Sequence, residues 1–274
     1  MDIQPAGTAT FDFTGRVGLV AGGSRGIGAD TARALAQAGA SVVVGARSYD
    51  VLQALATRIN DEIGAERVVA VRADVTDPDS GEELVATALE RFGRLDIAFN
   101  NATDGPMPGP LADIDVAEFD RGIAANVRGT FLGLRAQVPA MVASGGGSIV
   151  NMASVAGITA VGGLGAYVAG KAGIVALTKV AALDYAAQGV RINVVAPGPI
   201  RTEHIIAAGE QAQAHAAASV PMQRMGEPGD VSDVVLWLAS DRACFVTGAV
   251  IPIDGGQSAG TAPRRMYRQG EPMD

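Results

Sequence analysis

Val17-Gly18-Leu19-Val20-Ala21-Gly22-Gly23-Ser24-Arg25-Gly26-Ile27-Gly28 decides the fold. The first five residues are apolar throughout, as a strand buried on both faces is. Glycines follow at 22, 23, 26 and 28, and then a helix-forming run from Ala29 to Ala38. Glycine adopts positive φ and lets a backbone approach a ligand closely, while the unpaired N–H groups that open a helix favour an anion. Strand, glycine turn and helix in that order form the frame of a phosphate-binding turn. The spacing of Gly22, Gly26 and Gly28 is G-x-x-x-G-x-G rather than G-x-G-x-x-G. Taken alone, the loop fits either a nucleotide site or a tight strand-to-helix turn.

The pattern repeats outward from this unit. Ser41–Ala46, Val68–Arg72, Asp96–Asn100, Ser148–Met152, Arg191–Ala196 and Ala249–Ile253 read as six further buried strands, separated by longer amphipathic stretches. Between the second and third strands, Val51, Leu55, Ile59 and Ile63 recur every four residues with Leu52 beside them, the stripe of a helix packed on a sheet. Right-handed crossovers then give an α/β, doubly wound (Rossmann-type) seven-stranded parallel sheet with helices on both faces. No repeat or linker divides the chain. We expect one domain over 14–258, an N-terminal extension over 1–13, and a tail over 259–274 carrying Arg264, Arg265 and Arg268. Thr202 to Pro221 is Ala-rich without strand character, and reads as a mobile lid built of two helices over the substrate.

Composition narrows the function classes. Of the 274 residues 48% are hydrophobic but only 4% aromatic, so the core is built from Val, Ile, Leu and Ala. A net charge of −8 opposes a nucleic-acid or anionic-membrane partner. Cys244 is the sole cysteine and His204 and His215 are the only histidines, so no intrachain disulfide and no Cys/His metal site is expected; the histidines read as surface or lid residues. The first 15 residues lack the apolar segment of a signal peptide, and no apolar run of about 18 residues is evident, so a cytoplasmic location without a membrane span is expected.

Cofactor and chemistry are read from two further places. About 20 residues past the glycine loop, where an NAD-binding fold sets a carboxylate on the ribose 2′-hydroxyl, this chain has Gly45-Ala46-Arg47-Ser48. Arg47 and Arg25 suit a 2′-phosphate instead, so NADP(H) is expected to be preferred, with NAD(H) possible; the alternative is two solvated arginines. Tyr167-Val168-Ala169-Gly170-Lys171 sets a phenol and an ammonium four apart on one face of a helix expected from Gly165 onward. A cation near a phenol favours phenolate and brings its pKa toward the range useful for proton transfer. Ser154, just past the fifth strand, places a hydroxyl within range of a substrate oxygen.

With these motifs the sequence resembles the short-chain dehydrogenase/reductase family from about Thr14 to Ser258, and within it oxoacyl-thioester reductases and related ketoreductases. The glycine loop matches T-G-x-x-x-G-x-G except that Ala21 replaces Thr. Asp74-Val75 matches the pair at the adenine, and Asn100-Asn101-Ala102 matches N-N-A-G with Thr103 in place of Gly. Pro197-Gly198-Pro199-Ile200-Arg201-Thr202 matches P-G-x-x-x-T, the segment at the nicotinamide and diphosphate. Asn126, Ser154, Tyr167 and Lys171 match the catalytic tetrad. The resemblance implies that Tyr167 is the general acid or base, that Ser154 stabilises the carbonyl oxygen, that Lys171 binds the nicotinamide ribose and lowers the Tyr167 pKa, and that Asn126 and Lys171 organise a proton-returning water chain. It also implies cofactor contacts from Gly22, Ser24, Arg25, Gly26, Ile27, Gly28, Arg47, Asp74, Val75, Asn101, Ala102, Thr103, Pro197, Gly198, Ile200 and Thr202.

Small or aliphatic residues are expected to line the substrate: Val155, Ala156, Gly163, Leu164, Pro199 and Ile200, with Thr103 and Asp104 near the nicotinamide. Of these, Ala156 and Leu164, with Ser154 and Tyr167, are the expected substrate contacts. Such a wall suits an apolar ketone better than a sugar or carboxylate. The small residues Gly129, Ala166, Gly170 and Gly173 allow close helix packing, and the resemblance implies a homotetramer. The expected activity is reduction of a ketone to a secondary alcohol, or the reverse; the alternative is an NADP-binding sensor with little turnover.

Overall fold

The computed structural model describes residues 10–104 and 108–260. The first nine residues, and the tail with Arg264, Arg265 and Arg268, lie outside the described residues. Seven parallel strands form one sheet: β1 (Val17–Ala21), β2 (Ser41–Ala46), β3 (Val68–Arg72), β4 (Ile97–Asn100), β5 (Gly147–Met152), β6 (Val190–Pro197) and β7 (Val250–Ile253). Their order is β3-β2-β1-β4-β5-β6-β7. Each strand begins and ends within a residue of its expected position, because buried β-branched runs leave little freedom in where a strand can stop.

The helices in chain order are α1 (Gly26–Gln37), α2 (Tyr49–Ile63), α3 (Pro78–Phe92), α4 (Val116–Ile123), α5 (Gly129–Ala143), α6 (Gly165–Tyr185), α7 (Glu203–Ala207), α8 (Glu210–Ala218) and α9 (Pro228–Ala239). Successive strand residues feed opposite layers. Val20, Val42 and Val44 enter the layer with Leu35 of α1, Leu52 and Ile59 of α2 and Val235 of α9. Leu19, Val43 and Ile149 enter the other, with Leu84 of α3, Val138 and Met141 of α5 and Ala182 of α6. Burial of both faces explains the aliphatic composition. The chain reverses its winding between β1 and β4, which opens a crevice at the carboxyl ends of those strands, the usual ligand position in such sheets.

A polar ladder crosses the apolar layer directly below that crevice. Asn100 of β4 donates to Gln137 of α5 (3.0 Å) and to Asn151 of β5 (2.8 Å), Gln137 returns a bond to Asn100 (2.8 Å), and Asn151 donates to Thr178 of α6 (2.9 Å). All four side chains are buried and paired, so they fix the register of α5 and α6 against the sheet.

One helix bears on the expected lack of a long apolar run. Gly165–Gln188, containing α6, is long and apolar enough by length and composition to cross a membrane, with a mean hydropathy of 1.4 over its best window. Scattered polar residues such as Lys171, Thr178 and Lys179 hide that run from a search for unbroken apolar sequence. The helix packs on β6, α4, α5 and the turn before α5, while less than half of that window is buried.

Candidate active site

The glycine loop is built so that no side chain fits. Gly22 and Gly26 have φ of +84° and +54°. A Cβ on Gly28 would lie 2.2 Å from the Gly22 carbonyl oxygen, and one on Gly22 would lie 2.6 Å from the Ala102 nitrogen. The Asn101 side-chain amide donates to the Gly22 carbonyl oxygen at 2.8 Å, tying the end of β4 to the loop. Helix α1 starts at Gly26, three residues before the expected Ala29. Its N-cap, Arg25, is extended and makes no capping bond, and no acidic residue lies in the first turn. By contrast Asp77 caps α3, Asp115 caps α4, and a Glu227–Asp230 box caps α9. Helix α1, which opens at the crevice, keeps its leading N–H groups unpaired by any side-chain cap, as a diphosphate requires, and α2 shares that lack of a cap. That cradle is the fit expected for a dinucleotide.

Distant motifs converge on the same loop. Pro197 ends β6, and the segment after it carries Ile200, which is buried, and Thr202, whose methyl lies 3.2 Å from where a Gly26 Cβ would stand. Ser24 and Ile27 are half-buried in the loop, and Arg25 is exposed. Gly198 packs against Asp254, beyond β7. At the other end Arg47 follows β2 directly and is exposed. The Asp74 carboxyl is held below its usual range, chiefly by the Thr76 backbone N–H, with help from the Thr76 hydroxyl and the Arg47 charge. Val75 sits beside Asp74 and packs on Gly129.

The four tetrad candidates meet at the crevice from three elements. Ser154 starts a short 3-10 turn (Val155–Gly157) after β5; its hydroxyl accepts from the Ala156 N–H at 3.2 Å and donates to the Pro197 carbonyl at 3.4 Å. Tyr167 lies in the first turn of α6, and one turn on Lys171 is 1% exposed. The Lys171 ammonium sits 5.6 Å from the Tyr167 ring centroid and donates to the Met152 carbonyl at 3.0 Å. Burial lowers the Lys171 pKa to about 7. The Tyr167 pKa is raised by burial, against which a hydrogen bond from Ser154 pulls it down. In the chain by itself burial, rather than the Lys171 charge, sets the direction of the Tyr167 shift. Burial disfavours both charged forms, and the ammonium that would favour phenolate is itself close to losing its proton.

Asn126 lies in a π-helical turn (Ala124–Arg128) between α4 and α5, not in a regular helix. Such a turn widens the backbone by one residue and often marks a functional position. Its amide donates to the carbonyls of Gly122 (2.9 Å) and Asp104, and its oxygen accepts from the Thr103 hydroxyl at 2.9 Å. Thr103 thus turns its hydroxyl toward Asn126, which the sequence did not disclose. Asp104 is paired with Arg121 at 3.6 Å.

Around the expected substrate position, Val155, Ala156 and Ile200 are buried, while Gly163, Leu164 and Pro199 are half-buried. Residues 203–218 form the expected helix pair, with His204 on α7 and an exposed His215 on α8. Two residues near the cofactor cradle had escaped notice. The Glu203 carboxylate lies 3.5 Å from where a Gly26 Cβ would stand, and Arg72 closes β3 beside Ala46 of β2. Only the pairing of strands and the return of the chain after β6 bring these two to the site.

Comparison with known proteins agrees with this architecture. The family model described as enoyl-(acyl carrier protein) reductase matches residues 21–258. Trans-4-hydroxycyclohexanecarboxylate dehydrogenase of Sinomonas cyclohexanicum is 41% identical, covering 91% of this chain and 95% of that protein. Cyclohexanol dehydrogenase of an Acinetobacter strain is 39% identical, covering 90% and 96%. The crystal structure of levodione reductase superposes with a TM-score of 0.86 at 38% identity, over 91% of this chain and all of that one. With the glycine cradle and the Ser154–Tyr167–Lys171 cluster at the strand ends, these likenesses establish that the chain belongs to the short-chain dehydrogenase/reductase family and is an NAD(P)-dependent oxidoreductase of an alcohol and its carbonyl partner.

Proposed function

We propose that this chain is an NADP(H)-dependent reductase of apolar cyclic ketones, or a dehydrogenase of the matching secondary alcohols, with Tyr167 as the proton donor or acceptor. The observation that carries the reading is the meeting of Ser154, Tyr167 and buried Lys171 at the same crevice as the uncapped α1 and the glycine cradle. When bound, the nicotinamide supplies or takes up the hydride. In reduction the Tyr167 hydroxyl gives its proton to the carbonyl oxygen while the Ser154 hydroxyl donates a hydrogen bond to that oxygen. Burial raises the Tyr167 pKa and so favours the protonated phenol, the state a proton donor needs. Arg25 and Arg47, with no carboxylate ending β2, support NADP(H) over NAD(H). The apolar wall and two relatives named for cyclohexane compounds support a cyclic, weakly polar substrate.

The assembly belongs to this reading too. Phe131 of α5 and Val180 and Leu183 of α6 are 50%, 57% and 84% exposed, an apolar face that suits a second copy of the chain. We take the protein to be a cytoplasmic homotetramer; a monomer by light scattering at micromolar concentration contradicts this.

The deciding experiment follows absorbance of the reduced nicotinamide with NADPH or NADH against cyclohexanone and a panel of open-chain ketones, with Tyr167→Phe as control. NADPH-dependent turnover that falls at least 100-fold in Tyr167→Phe is expected. Tight NADPH binding with no turnover on the panel points instead to a sensor, and faster turnover with NADH removes the roles given to Arg25 and Arg47.

A further inference from the structure

On the face of the sheet covered by α1 and α2, the register pairs Val42 with Val68 and Val44 with Ala70, both apolar. The next pair on that face is Ala46 with Arg72, so the apolar face ends in a guanidinium at the carboxyl edge of the sheet. The residue after Ala46 is Arg47. Arg47 and Arg72 line one open cleft of ≈ 570 Å³, together with Ser48, Tyr49, Asp50 and Val51. Both arginines are exposed, and the Arg72 side chain makes no hydrogen bond or ion pair among the described residues. The Ser48 hydroxyl is not used to cap α2. Asp50 is the one carboxylate in the lining, so two cations face one anion.

We propose that Arg72 is a specificity-determining residue for the cofactor: its guanidinium and that of Arg47 close on the 2′-phosphate from opposite sides of the cleft, with the Ser48 hydroxyl as a further donor. This rests on the NADP(H) reading above and deepens it. The chemistry is simple. A phosphate monoester presents three oxygens and a charge near −2 at neutral pH, more than one guanidinium can pair. Two guanidiniums arriving from neighbouring strands can each make charge-assisted, forked bonds to separate oxygens. A ribose hydroxyl offers no charge to either, so Arg72 discriminates between the two cofactors without strengthening contacts they share.

The test measures binding directly, by calorimetric titration of the full chain with NADP⁺, NAD⁺, adenosine 2′,5′-bisphosphate and 5′-AMP. Arg72→Gln should weaken NADP⁺ and the bisphosphate about tenfold, leave NAD⁺ and 5′-AMP within twofold, and keep the melting temperature because the side chain is exposed. Arg72→Lys should recover part of the loss. If Arg72→Gln leaves NADP⁺ binding intact while the wild type still prefers NADP⁺ over NAD⁺, the role of Arg72 is overturned and the NADP(H) reading stands. Equal loss of all four ligands also overturns it, because Arg72 would then act on general attraction or on the fold. A wild type that binds NAD⁺ as tightly as NADP⁺ overturns the NADP(H) reading itself, and this inference with it.

Discussion

Replacing Lys171 with methionine should make the cofactor-free protein more resistant to denaturant at low pH and less resistant at high pH. Lys171 is 1% exposed, and burial takes its pKa from an ordinary 10.5 to about 7, whereas the unfolded chain regains the ordinary value. Between pH 7 and 10.5 the unfolded state therefore holds a proton that the native state has released, so wild-type stability rises with pH across that window. Below about pH 7 the folded protein bears the whole cost of a buried ammonium, and above 10.5 it bears none. At about 1.4 kcal/mol for each pH unit between the two values, the full cost is on the order of 5 kcal/mol. Methionine fills a similar volume and removes this cost, but leaves the Met152 carbonyl without its 3.0 Å donor, a loss of about 1–3 kcal/mol. Lys171→Met should then gain about 2–4 kcal/mol at pH 6 and, with under about 1 kcal/mol of the ammonium cost remaining, lose about 0–2 kcal/mol near pH 10, relative to wild type. Denaturant titrations at fixed protein concentration, from pH 6 to 10, read the difference directly. A difference between the two proteins that stays constant over that range refutes the argument. The variant should also lose turnover, so that stability at low pH is gained at the expense of activity.

Three other outcomes follow from packing and charge. Gly28→Ala, whose methyl would stand 2.2 Å from the Gly22 carbonyl oxygen, should lower stability by about 1–3 kcal/mol and weaken cofactor binding at least tenfold; Gly162→Ala, with open space around its Cβ, is the control by melting and titration. Glu203→Gln removes a carboxylate beside the first turn of α1, so NADP⁺ should bind a few-fold more tightly at low salt and the gain should shrink as salt is added; an unchanged Kd at low salt counts against it. Gln137→Leu leaves Asn100 short of partners in the polar ladder and should cost about 1–3 kcal/mol by chemical denaturation, with loss of activity following the altered seat of α5 and α6; a neutral effect would mean that the ladder does not hold those helices.

The sequence by itself determined the strands, the winding and the positions of the motifs. Aliphatic runs such as Val17–Ala21 and Ser41–Ala46 have one stable use, a strand covered on both faces, and the glycines of the loop are demanded by local backbone geometry that any reader of the chain can infer. Tyr167 and Lys171 were legible for the same reason, since a four-residue spacing on one helix face is a local fact. What only the tertiary structure decided is non-local. Burial, which depends on every element around a side chain, raised the Tyr167 pKa and brought Lys171 to about 7. The π-helical turn at Asn126 and its bond from Thr103 depend on how α4 and α5 meet the end of β4. Arg72 comes beside the end of β2 and Glu203 beside Gly26 through strand register and chain return, contacts that join residues far apart in sequence and leave no periodic mark in it.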